Sequence, residues 1–116
     1  MSSLKQLAAA TAEPMPSGEG QPVSEALIKE LREDWGRTPE TLDIINAISQ
    51  RSEVGLNKYG TVLRVNNGRD CINDLEQELL DALQYLKQAR MEGKKIPRRI
   101  LVELRMLSEY VEKRDI

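Results

Sequence analysis

The 116-residue sequence predicts an all-α fold from three observations. Apolar residues recur at threes and fours in four segments, helix start and stop residues bracket those segments, and no two runs alternate with the period of paired strands. The length allows one domain. The expected architecture is a four-helix bundle over 23–116, preceded by a flexible N-terminal tail over 1–22.

The tail is read from composition. Residues 1–22 combine Ser, Ala, Gly and Gln with three of the five prolines, and no apolar repeat defines a buried face. Ser24 is a helix-capping residue, and Ala26, Leu27 and Leu31 follow at helical spacing until Gly36. Thr38-Pro39-Glu40 is a strong helix start, because threonine accepts free amide bonds, proline fits the first turn and glutamate suits the positive helix end. Leu42, Ile45, Ile48 and Leu56 carry that second helix to Tyr59-Gly60. Thr61 to Gly68 has strand propensity but stands alone, and Asn66-Asn67-Gly68 is turn chemistry, so this stretch is a loop with at most a short extended piece. The third and longest helix runs from about Arg69 to Met91, with Ile72, Leu75, Leu79, Ala82, Leu83 and Leu86 as its buried stripe before Gly93. Pro97 opens a fourth, whose stripe is Leu101, Leu104, Leu107 and Val111.

Composition excludes several function classes. The absence of histidine removes Ser-His-Asp and Cys-His nucleophile schemes, the HExxH metalloproteases and every zinc site that needs imidazole. Catalysis would have to run on carboxylates, amines or a bound metal. Cys71, the sole cysteine, cannot close an intramolecular disulfide, which points to a reducing compartment and hence the cytoplasm. It lies one turn into a helix whose start favours a thiolate, but its acidic neighbours oppose that, so it is expected to be inert. With 17 basic against 19 acidic residues there is no net attraction to a phosphate backbone, and no apolar run is long enough to span a membrane.

One polar pattern can carry chemistry. On the third helix Asp70, Asp74, Glu78, Asp81 and Tyr85 fall within about 40° either side of Asp74 and border the leucine stripe. If this stripe is solvated, its like charges cost only about 0.2 to 0.5 kcal/mol per pair and need no function. If packing partly buries it, the repulsion calls for a bound cation, and oxygen ligands without imidazole or thiolate suit Mg2+ or Mn2+. Spacing alone leaves both readings open.

The run Arg51-Ser-Glu53-Val-Gly55-Leu-Asn-Lys58-Tyr59-Gly60, then Gly68-Arg69-Asp70, then Glu78-Leu-Leu-Asp81-Ala-Leu-Gln-Tyr85-Leu resembles phage members of the MazG-like all-α nucleotide pyrophosphohydrolases. The resemblance covers about Thr41 to Arg90. It implies hydrolysis of a nucleoside triphosphate to the monophosphate and pyrophosphate, with Glu78 and Asp81 as the family's Glu-x-x-Asp metal ligands. The family's Glu-Glu-x-x-Glu motif is matched only at its last position, Glu53, because Ser49 and Gln50 occupy the first two. Glu53, Asp74, Glu78 and Asp81 are therefore the candidate ligands for Mg2+ or Mn2+. Glu53, Glu78 and Asp81 are the candidate catalytic residues, with Glu53 or a free oxygen of the stripe as general base. Likeness to the MazZ-type members implies a purine deoxynucleotide, dGTP first, in phage nucleotide metabolism. Together with the modest core, the resemblance implies a homodimer or tetramer.

Lys58 and Arg69 flank the acidic residues and are candidate phosphate ligands, with helix-end solvation or ion pairs to the same carboxylates as the alternative. Trp35, Tyr59 and Tyr85 can stack on a base but suit packing as well. Glu30 and Glu33 fit an exposed face. Lys94, Lys95, Arg98 and Arg99 form a basic cluster without interleaved aromatics, which fits a solvated connection better than a nucleic-acid patch. Two further function classes stay beside the hydrolase: a non-catalytic helical interaction protein, and a helical nucleic-acid-binding module.

Overall fold

The structure is a computed structural model that describes residues 18–114. The described residues form four helices, α1 (Val23–Asp34), α2 (Pro39–Tyr59), α3 (Cys71–Met91) and α4 (Arg98–Arg114), with a single isolated bridge and no strand. Most of the expected N-terminal tail, 1–17, lies outside the described residues. The chain divides into two compact units, one ending at Asp81 and the other beginning at Ala82, so α3 contributes to both.

In the first unit, α1 and α2 pack on each other and bury Leu31, Ile44 and Ile45. Leu31, at 1% exposure, is the most completely enclosed of these side chains. Thr38 caps α2 as its sequence requires, its hydroxyl accepting the Thr41 amide at 3.2 Å, and Pro39 follows in the first turn. Gly60 closes α2 at φ 76°, a left-handed conformation that costs glycine little. Ile44 faces the core, while Leu42 and Leu56 of the expected stripe are exposed.

The start of α1 differs from expectation for a clear reason. Ser24 does not cap it; the helix begins at Val23, after Pro22. The Val23 amide donates to the Leu63 carbonyl at 2.9 Å, so a loop carbonyl satisfies one of the free first-turn donors of the helix. The Ser24 hydroxyl is hydrogen-bonded to that of Ser52 on α2, at 3.3 Å. The Val65 amide donates to the Gln21 carbonyl at 3.0 Å, which completes an antiparallel bridge between Pro22 and Arg64. This bridge is the short extended piece expected in the 61–68 loop.

Asp70 begins α3, its carboxylate accepting the Ile72 and Asn73 amides at 3.0 and 3.2 Å. At the other end the Lys94 amide reaches the Ala89 carbonyl and the Gly93 amide reaches that of Arg90, a Schellman closure with Gly93 at φ 70°. Pro97 supplies the carbonyl that accepts the Ile100 amide as α4 starts.

The direction in which α3 faces corrects the sequence expectation. Its leucine stripe was expected to be buried, yet Ile72, Leu75, Leu79 and Leu83 are exposed, Leu79 at 50% and Leu83 at 65%, while Ala82 and Leu86 of the same stripe are half-buried. The better covered positions before Ala82 are Asn73, Asp74, Gln77 and Asp81, roughly the opposite side of the helix. The same inversion holds in the second unit, where Leu101, Leu104, Leu107 and Val111 of α4 are exposed while Val102, Met106 and Tyr110 are half-buried. The four helices are present as expected.

Candidate functional site

The candidate metal, catalytic and phosphate-binding residues belong to the first unit, and the α2–α3 connection positions Arg69 and the start of α3. Asn66 takes a left-handed φ of 52° and Gly68 one of 85°, turning the chain sharply before α3. Asn67 is buried, and its side-chain carbonyl accepts the Arg69 amide at 3.0 Å. That turn delivers Arg69 to α3. The Arg69 guanidinium then engages Asp74 through two bonds, Nε to Oδ2 at 3.0 Å and Nη2 to Oδ1 at 2.8 Å. Both side chains are largely withdrawn from solvent, at 12% and 27% exposure. A planar fork on a carboxylate is the strongest geometry available to this pair.

The four carboxylates nominated as metal ligands have different surroundings. Asp74 has both oxygens on Arg69. Glu78 is exposed and interacts with a neighbour, and Glu53 is exposed on α2. Asp81 is the buried residue of α3, at 9% exposure. Among the described residues no three His, Cys, Asp or Glu side chains stand where they could share an ion. The described residues of one chain therefore do not gather a complete divalent-ion site. Asp70, counted by spacing with the acidic stripe, is a helix cap.

The candidate phosphate ligands also separate. Arg69 is held by Asp74, whereas Lys58 is exposed with its ammonium 5.3 Å from the Tyr59 ring centroid, a cation–π contact at the end of α2. Tyr85 is exposed and belongs to the second unit.

Two residues that shape this region were not expected to do so as individual side chains. Asn67 was read only as part of the Asn-Asn-Gly turn run. Arg64 carries no sequence signal: it donates to the Thr61 hydroxyl at 3.2 Å within its own loop and to the Gly20 carbonyl at 2.9 Å across the long-range bridge.

The basic cluster is partly neutralised by its own neighbours, with Lys94 on Glu92 at 2.9 Å and Arg99 on Glu103 at 3.1 Å. Among the described residues no helix is long and apolar enough to cross a membrane. Comparison with known protein families, with curated proteins and with solved structures finds no match in any of the three.

Proposed function

We propose that this chain hydrolyses a purine nucleoside triphosphate, dGTP or GTP foremost, to the monophosphate and pyrophosphate, acting in the cytoplasm as a homodimer or tetramer. Water adds across the α–β phosphoanhydride and pyrophosphate leaves. Mg2+ or Mn2+ belongs to the proposal as the charge that offsets the polyphosphate.

The observation that carries this reading is the burial of Asp81. A helix rich in leucine ordinarily turns leucine inward, and a buried carboxylate is costly unless a cation meets it. Asp81 lies one turn from Glu78, in the Glu-x-x-Asp spacing that forms one part of the joined pattern behind the family resemblance. Because the described residues do not gather three carboxylates, the reading requires Glu53 and Glu78 to draw toward Asp81 when nucleotide and ion bind.

The exposed leucines of α3 and α4 favour a second reading, a helical interaction protein without catalysis. Incubation with dGTP, GTP, dATP and dCTP in Mg2+ or Mn2+ separates the two. The hydrolase reading expects monophosphate and pyrophosphate, fastest from the guanine nucleotides. No product from any nucleotide, with no metal-dependent rise in melting temperature, leaves the interaction reading in its place.

A further inference from the structure

We infer that Arg64, on the α2–α3 connection, is a polyphosphate-binding residue that meets the phosphate chain of the nucleotide. The inference rests on the hydrolase reading for its nucleotide, but the anion site is measurable without turnover.

The cations along this connection differ in what already meets them. Arg69 has its charge balanced within the fold, because Asp74 takes its guanidinium through two bonds. Lys58 is exposed, with its ammonium over the Tyr59 ring. Arg64 is half-buried, and its guanidinium meets neutral oxygens: Nε donates to the Thr61 hydroxyl at 3.2 Å and Nη1 to the Gly20 carbonyl at 2.9 Å. Among the described residues no carboxylate pairs with it. Its charge is therefore unbalanced, and part of its N–H fork remains for a ligand. Partial withdrawal from water strengthens the pull of such a group on an anion.

Order is the second ground. The two contacts fix the side chain, so much of the freedom an arginine gives up on binding is already lost in the free protein. The backbone beneath it is held as well, by the Val23 amide on the Leu63 carbonyl and the Val65 amide on the Gln21 carbonyl.

Position is the third. The bridge ties the connection to the start of α1, where the Ser24 hydroxyl meets that of Ser52, the residue before Glu53. Beyond Arg64 the chain turns at Asn67 into Arg69 and α3, the helix of Glu78 and Asp81. Arg64 thus stands on the segment joining the two helices that carry the proposed metal ligands. A polyphosphate held through its ion on carboxylates still bears charge on its other oxygens, and a fork-shaped cation is the group that meets those.

The experiment is calorimetric titration of inorganic tripolyphosphate, without metal, into the full wild-type chain, into Arg64→Gln and into Arg37→Gln, which removes an exposed cation of the α1–α2 connection as a control. Circular dichroism follows helix content. Arg64→Gln should weaken binding about tenfold or more, and Arg37→Gln should leave it unchanged. In heteronuclear NMR of the wild type, the Arg64 Nε–H resonance should move as the anion is added, and this measurement decides the matter if Arg64→Gln fails to fold. No tripolyphosphate binding by the wild type, equal binding by a folded Arg64→Gln, or an Arg64 resonance that stays still while the anion binds overturns the inference. Turnover is scored separately. A chain that binds tripolyphosphate through Arg64 but releases no pyrophosphate from any nucleotide sustains the anion site and overturns the hydrolase reading alone.

Discussion

Arg69 holds Asp74 by a two-bond fork that closes the turn from the α2–α3 connection into the first coil of α3. Because both groups are mostly out of solvent, the pair is stronger than a surface ion pair. Asp74→Asn should cost about 1 to 3 kcal/mol of stability in urea titration, and Arg69→Lys should recover little of the loss from Arg69→Ala, since an ammonium cannot reproduce the fork.

The helix ends were legible because single residues with local chemistry set them. Thr38-Pro39, Gly60 and Gly93 act where the sequence places them. The inward face of α3 was not legible. A leucine repeat reports that a helix has an apolar side, and it reads the same whether that side is covered by its own chain or by another molecule. Asp70 and Asp74 illustrate a related ambiguity, since the same residue type serves as a cap, an ion-pair partner or a metal ligand, and only geometry separates the roles. The bridge between Pro22 and Arg64 is too short to leave a periodic trace.

That bridge makes a sharp prediction about two glycines. Gly20 sits at φ 95° against the Val65 carbonyl, where a Cβ would collide with backbone, while Gly60 at φ 76° faces open space. Gly60→Ala should cost about 1 kcal/mol, for the left-handed backbone alone. Gly20→Ala adds a collision to the same strain and should cost more, up to about 3 kcal/mol. Melting temperatures of the two variants test the order.

Leu31 and Leu79 should respond differently to truncation. Leu31 is enclosed within its own chain, so Leu31→Ala should cost about 2 to 5 kcal/mol at any protein concentration. Leu79 is half exposed, so Leu79→Ala should cost less, about 1 kcal/mol. Urea denaturation of the two variants tests the order.

Glu92 supplies a pH prediction. Its carboxylate is held below the ordinary value of 4.5, first by Lys94 and then by Gln88. A carboxylate depressed by folding stabilises the native state above its unfolded pKa, and the contribution is lost as pH falls through the folded one. Carboxyl NMR titration should find Glu92 below 4.5 in the wild type and raised toward it in Lys94→Met. The ion pair with Lys94 is solvent-accessible, so the shift should shrink in high salt.

The account turns on what the buried carboxylate of α3 is for. Calorimetric titration of Mn2+ into the full chain with a non-hydrolysable dGTP analogue, compared between wild type and Asp81→Asn, tests this most directly. The account predicts ion uptake by the wild type and its loss in Asp81→Asn with helical content preserved. No uptake by the wild type, or equal uptake by both, would contradict it.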